Sequence, residues 1–224
     1  MIVCMAGVLE REELGRIAEI LSRGTFVEGK LTAGWHARKV KENRQLGPGG
    51  EADSAGAIVR EALLRHEVFR SAVLPLKLRP ILFSRTDPGM SYGTHVDDAV
   101  MGGEPALLIR SDVSITVFLG DATGYDGGEL ILETTGGETG YKLEAGAAIA
   151  YPSTSLHRVS AVTRGRREVA VSWAQSMIRS AERREILFDL DTARRTIFKA
   201  RGKSPEFDLI AKSYANLLRQ WAEL

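Results

Sequence analysis

Apolar positions recur along the chain with two periods, and the change of period divides it. From residue 11 the spacing is helical. Leu14, Ile17, Ala18 and Leu21 share one face, acidic residues fill the first turn, and Gly24 stops the pattern. Residues 25–46 are mixed, and Phe26-Val27-Glu28-Gly29 and Trp35 to Val40 read as short strands. The break Leu46-Gly47-Pro48-Gly49-Gly50 precedes a second helix that starts near Asp53 or Ser54. Ile58, Ala62 and Leu63 line its expected buried face, with Val68 and Phe69 near its end.

From Pro75 the period shortens to two. Pro75 to Phe83 alternates, and Ser111 to Leu119 sets Val113, Ile115, Val117 and Leu119 against Ser114, Thr116 and Phe118. Glu129 to Glu133, Ala147 to Tyr151, Ser155 to Val162 and Glu168 to Met177 read as further strands, and Thr134 to Gly140 as a turn. Thr163-Arg164-Gly165-Arg166 signals a hairpin between the last two strands. Short strands at this spacing predict a mainly β core of barrel or jelly-roll type with flanking α-helices. After residue 178 the helical period returns, first through Ile186, Leu187, Leu190, Ala193 and Ile197. A second helix follows the N-cap and proline of Ser204-Pro205, with Phe207, Ile210, Ala211, Tyr214, Leu217, Leu218 and Trp221 as its stripe. The expected organisation is an N-terminal helical and mixed part over 1–75, a β core over 76–178 and a C-terminal helical part over 179–224. The last is also a candidate homo-oligomer surface.

Composition narrows the chemistry. The 224 residues include 30 Lys+Arg, 29 Asp+Glu, 4 His and one Cys, for a net charge of +1. A single cysteine excludes a disulfide framework and multi-cysteine zinc modules, and Cys4 is expected to be buried like most free cysteines. The balanced charge gives no reason to expect nucleic acid or a membrane surface as partner. The absence of a long apolar run or a leader-like start makes a cytoplasmic protein the expectation.

The informative stretch is Tyr92-Gly93-Thr94-His95-Val96-Asp97-Asp98. On a strand, His95 and Asp97 would face the same way, and His157 on a later strand can supply a third ligand. Two histidines and one carboxylate bind Fe(II) and leave positions open for a co-substrate and O₂. Arg167, ten residues on, should run antiparallel to the His157 strand, on one face with Val169, Val171, Trp173 and Gln175. If that face looks inward, its guanidinium suits a carboxylate bidentately, such as the distal one of 2-oxoglutarate. Alone, each residue has an ordinary reading: a chance His-x-Asp, a structural histidine, a solvated turn arginine. Together they make a site. Tyr92 reads either as a packed strand tyrosine or as a contact to 2-oxoglutarate. Asn43 and Gln45 form a candidate polar lip of the substrate pocket. Trp173 reads as core or as pocket wall. Asp98 and Glu129 read as surface or supporting acids, and His36 and His66 as non-ligands.

These motifs, with Thr32-Ala33-Gly34, Val40-Lys41-Glu42-Asn43-Arg44-Gln45-Leu46, Arg110-Ser111-Asp112-Val113-Ser114, Tyr125-Asp126-Gly127-Gly128-Glu129-Leu130, Tyr151 to Val159, Trp173-Ala174-Gln175-Ser176-Met177 and Leu187-Phe188-Asp189-Leu190-Asp191, resemble the PKHD-type (prolyl/lysyl hydroxylase domain) Fe(II)/2-oxoglutarate-dependent hydroxylases over nearly the whole chain. The resemblance implies a double-stranded β-helix, iron on His95, Asp97 and His157, 2-oxoglutarate on Arg167, and ascorbate as reductant. It implies hydroxylation of a peptidyl or small-molecule substrate, with 2-oxoglutarate converted to succinate and CO₂. Two other classes stay open. One is a cupin-like metal enzyme without 2-oxoglutarate, which would not need Arg167. The other is a non-catalytic iron/2-oxoglutarate sensor.

Overall fold

A computed structural model describes residues 1–32, 34–103 and 108–224, with the side chains of residues 31 and 32 left aside. Ala33 of the Thr32-Ala33-Gly34 motif therefore lies outside the described residues. In chain order the N-terminal elements are β1 (Val3–Met5), α1 (Arg11–Arg23), β2 (Phe26–Glu28), β3 (Arg44–Leu46), α2 (Gly50–Arg65) and α3 (Glu67–Val73). The β-rich part holds β4 (Pro75–Leu78), β5 (Leu82–Thr86), β6 (Tyr92–His95), β7 (Val100–Met101), β8 (Ile109–Arg110), β9 (Val113–Phe118), β10 (Asp126–Gly127), β11 (Leu130–Thr134), β12 (Gly137–Tyr141), β13 (Ala148–Pro152), β14 (His157–Val159), β15 (Val162–Arg164) and β16 (Arg167–Ser176). Helices α4 (Ala181–Arg201) and α5 (Pro205–Trp221) close the chain.

Two sheets carry the architecture. The larger runs β1-β13-β9-β16-β5-β3-β2, with β4 also on β16; the smaller runs β12-β11-β14-β6. Alternation assigns the faces of the larger sheet. Val113, Ile115, Val117, Ala148, Ala150, Ala170, Ala174 and Phe83 pack under Ile17 and Leu21 of α1, Ala55, Val59, Ala62 and Leu63 of α2, and Phe69 of α3. The opposite face joins Phe118, Ile149, Tyr151 and Val169 to Leu130 and Leu132 of the smaller sheet. Leu74, Ile178 and Leu187 anchor the C-terminal hairpin. Mainly β with flanking helices is thus the observed class. No helix among the described residues is long and apolar enough to cross a membrane.

Several local expectations are corrected. Trp35 to Val40 is no strand; a 3₁₀ turn covers Ala37–Lys39. The second helix begins at Gly50 and ends at His66, whose extended backbone and Nδ1, accepting from Phe69 N at 3.4 Å, cap a separate α3. Residues 134–140 are not all turn: Gly137–Tyr141 pairs with β11, an exposed polar edge whose side chains carry no burial signal. Ser155 to Val162 divides into β14 and β15, which join different partners. The β16 strand does not lie beside the His157 strand. It pairs with β4, β5 and β9, so the turn at Gly165 carries the chain from β15, paired with β10, into the larger sheet. Cys4 is exposed, because on β1 its neighbour Met5 takes the buried face.

The face under the helices should dominate stability. Leu63, 0% exposed on α2, removed as Leu63→Ala should cost about 2–5 kcal/mol in urea unfolding.

Candidate functional site

The two sheets do not pack tightly throughout. Between them lies a cavity of about 460 Å³ lined by His95, Asp97, His157, Arg167, Tyr92, Asn43, Gln45 and Trp173, with Lys41 and Arg79 among others. Every residue expected at the site therefore borders one space.

The histidines converge because β6 and β14 pair directly, with His95 opposite His157. Their rings lie 4.2 Å apart between centroids. His95 Nδ1 donates to the Gly93 carbonyl at 2.8 Å, and His157 Nδ1 to the Ser155 carbonyl at 3.0 Å. A carbonyl only accepts, so both Nδ1 atoms carry the proton and both Nε2 lone pairs are left for a metal. Burial, and then the neighbouring His157, push the pKa of His95 down to about 4, which keeps it a neutral ligand. Tyr92 stacks on His95 with centroids 3.7 Å apart and planes 17° from parallel, fixing the ring's tilt.

Asp97 arrives by another route than expected. Strand β6 ends at His95, so strand alternation does not aim the carboxylate. Instead Ser114 Oγ of β9 donates to Asp97 Oδ2 at 2.5 Å, and Ser153, 2.8 Å from Ser114 Oγ, supports it from the turn after β13. Asp97 Oδ2 lies 3.8 Å from His157 Nε2, and one ligand atom from each of the three residues falls within 4.8 Å of the others. Two imidazole nitrogens and one carboxylate oxygen at this spacing fit a single divalent metal.

Arg167 begins β16 and is 3% exposed. Its Nε has no hydrogen-bond partner, and no carboxylate pairs with it among the described residues. Burial lowers its pKa from the ordinary arginine value, a shift opposed by Tyr125 and Tyr151. An unpaired buried guanidinium is costly unless an anion arrives. Gly128 makes room for it: at φ +67° it lies so near that a Cβ would stand 3.0 Å from Arg167 Cδ.

Other residues fall into place around this frame. Trp173 is half-buried on the cavity wall and is not sealed in the core. Asp98 lies at the mouth, 3.9 Å from His36 Nε2, and joins no metal cluster among the described residues. Glu129 is held by Ser160 Oγ at 2.6 Å, away from the cavity, and His66 caps α3. Three features escaped sequence reasoning. Lys41 is 6% exposed, near Asp97 and 5.3 Å from the Tyr92 ring centroid, and burial pushes its pKa down to about 8. Tyr125, read only as a turn residue, is buried beside Arg167 with its hydroxyl unpartnered. Arg79 reaches the cavity from an irregular stretch of strand. Charged residues in polar sequence contexts carry no burial signal of their own.

A jelly-roll core enclosing a His-Asp-His cluster defines the class. Residues 81–175 match the 2OG-Fe(II) oxygenase superfamily and residues 182–223 the PKHD-type hydroxylase C-terminal domain. The chain is 53% identical, over 100% of both sequences, to a PKHD-type hydroxylase of Gloeothece citriformis. It belongs to the PKHD-type hydroxylases and is a 2-oxoglutarate-dependent dioxygenase. Its fold is shared with a Pseudomonas putida prolyl-4-hydroxylase at 17% identity and TM-score 0.56, over 78% of this chain and 92% of that one. It is shared equally with HygX from Streptomyces hygroscopicus, solved with nickel, 2-oxoglutarate and hygromycin B bound, at 13% identity and TM-score 0.56, over 79% and 84% of the two chains.

Because Ser114 holds Asp97, Ser114→Ala should weaken divalent-metal binding by about 10–100-fold with the fold intact. Competition against a fluorescent chelator, alongside circular dichroism, measures both.

Proposed function

We propose that this protein hydroxylates a peptidyl or small-molecule substrate at a C–H bond. Fe(II) would be held by His95, Asp97 and His157, and Arg167 would anchor the distal carboxylate of 2-oxoglutarate, with O₂ giving one oxygen atom to the substrate and the other to the co-substrate, which leaves as succinate and CO₂. The observation that carries this reading is the unpaired guanidinium of Arg167 in the same cavity as the His-Asp-His cluster. A metal enzyme that does not use 2-oxoglutarate has no need of such a buried cation.

Bound iron would supply oxygen activation and one-electron chemistry that amino-acid side chains lack. The chain's own work is positional. Both histidines are oriented by backbone carbonyls, and Ser114 holds the Asp97 carboxylate at the cluster. Val169 and Val171 of β16 line the wall between Arg167 and Trp173, giving the co-substrate's methylene carbons an apolar, water-poor surface. Tyr92 is occupied by stacking on His95, and we assign it to holding that ligand. Ascorbate is the reductant we assign for iron oxidised in unproductive cycles. An exposed lone Cys4 suits a reducing, cytoplasmic setting. The two folds compared above serve a prolyl hydroxylase and a protein that binds hygromycin B, so a peptidyl and a small-molecule substrate both suit this scaffold.

Anaerobic Fe(II) and 2-oxoglutarate should give the wild-type protein a weak visible charge-transfer band, and oxygen should then release succinate. Arg167→Ala should weaken 2-oxoglutarate binding on the order of 100-fold, since it deletes one partner of a buried charge pair. No band in the wild type, or unchanged affinity in the variant, rejects the assignment. Binding without succinate, across a broad substrate screen, would mark a sensor.

A further inference from the structure

Strand β16 meets two successive strands, and the junction is irregular. Leu78 stands opposite Ala174 and Leu82 opposite Val171. Arg79, Pro80 and Ile81 therefore span a gap that Ser172 and Trp173 cover on the partner, which is a β-bulge. Pro80 has no N–H to lose there. The bulge sends the two neighbours of the proline to different places. Ile81 packs into the core beneath α2, while Arg79 goes to the cavity. Arg79 N donates to the Trp173 carbonyl at 2.9 Å, so the two residues are direct cross-strand neighbours on the cavity wall.

This wall carries donors. Trp173 Nε1 is buried with no hydrogen-bond partner. Among the described residues no carboxylate pairs with Arg79, and no hydrogen bond from its guanidinium is formed. The other charges lining the cavity are accounted for. Asp97 belongs to the metal cluster, Asp98 faces His36, Lys41 faces Tyr92 and Asp97, and Arg167 is assigned to 2-oxoglutarate. Trp173 is also the register partner of Ser114, the residue that holds Asp97. Arg79 and Trp173 therefore lie at the metal end of β16, six residues along the strand from Arg167.

We propose that Arg79 and Trp173 form the recognition site for an anionic group, a carboxylate or a phosphate, on the primary substrate. The guanidinium provides charge and paired N–H donors, and the indole N–H adds a third. This inference rests on the assignment of 2-oxoglutarate to Arg167, which leaves Arg79 for the second ligand. It places the anionic group on the substrate near the metal cluster and selects against amines.

Anaerobic protein saturated with Fe(II) and 2-oxoglutarate can be titrated calorimetrically with methyl phosphate, acetate and methylammonium at low ionic strength. At least one of the two anions should bind tenfold or more tightly than methylammonium, and comparison of the two separates phosphate from carboxylate selection. Arg79→Gln should weaken the bound anion at least tenfold, Arg79→Lys should restore most of it, and Arg79→Glu should reverse the preference towards methylammonium. Trp173→Phe, which keeps a ring and removes the N–H, should weaken anion binding several-fold. The 2-oxoglutarate charge-transfer band should persist in Arg79→Gln. Equal anion binding in wild type and Arg79→Gln, or no anion binding at all, overturns the inference and leaves the Arg167 assignment standing. Loss of the band in Arg79→Gln, or its bleaching by the added anion, also overturns it, by assigning Arg79 to the co-substrate. Full 2-oxoglutarate affinity in Arg167→Ala instead overturns the reading on which the inference rests.

Discussion

A strand gives one face to each side of its sheet, and the central strands of the larger sheet use those faces for opposite purposes. On β9, Val113, Ile115 and Val117 pack beneath the helices, while Ser114, Thr116 and Phe118 face the smaller sheet. On β16, Ala170 and Ala174 lie under the helices and Arg167, Val169, Val171 and Trp173 border the cavity. This division permits a polar, partly open space between two sheets. The apolar area buried by α1, α2 and α3 offsets the packing forgone at the cavity, because hydrophobic stabilisation scales with area wherever it is buried. A site with three ligating side chains and two or more cations could not be the sole core of the domain.

Arg167 shows how far that tolerance goes. Taking an ion out of water costs several kcal/mol in a real protein, and here no described carboxylate returns any of it. Partial relief comes from aromatic groups: Phe118 has its ring centroid 5.8 Å from the guanidinium carbon, and Tyr125 and Tyr151 lie close enough to affect its charge. The unrelieved part is available to binding. A dicarboxylate bound there, as proposed, would gain the Coulomb energy of a pair in a low-dielectric site whose desolvation cost was met on folding. The same preorganisation appears at the His-Asp-His cluster, where Gly93, Ser155 and Ser114 hold the three candidate ligands in place.

What the sequence makes legible follows this logic. The alternation of Val113 to Phe118 was readable because burial on one face and polarity on the other both leave marks, and the helical stripes were readable for the same reason. The His-x-Asp, the later histidine and the arginine were legible as residue types that together make a site, and period two gave the inward face of Arg167 but not that of Asp97. The means of convergence was less visible. Asp97 lies past the end of its strand, and the hydroxyl that aims it comes from Ser114 on another strand, a tertiary contact with no local signature. The partnering of β16 with β9 and β5 in preference to the His157 strand is equally non-local. The exposed strand β12 and the burial of Lys41 were invisible because polar sequence reads alike at a surface and at a cavity wall.

The positions of the groups also separate chemistry from selection. The metal cluster and Arg167 draw on β6, β9, β14 and β16, paired on both sides or tied to strands that are, where a change of register would disturb several strands at once. Arg79 sits in a bulge beside Pro80, and Asn43 and Gln45 stand on or next to β3, the neighbour of edge strand β2 in the larger sheet. A bulge already interrupts its ladder, so exchanging its side chain disrupts no pairing and costs less than an equal change in the centre of the sheet. If Arg79, Asn43 and Gln45 contact substrate as proposed, preference can be altered at the bulge and the β3 side without rebuilding the His-Asp-His cluster or Arg167. The physical reason is that the His-Asp-His cluster and Arg167 depend on the register of paired strands, whereas Arg79, Asn43 and Gln45 carry side chains that the register does not need.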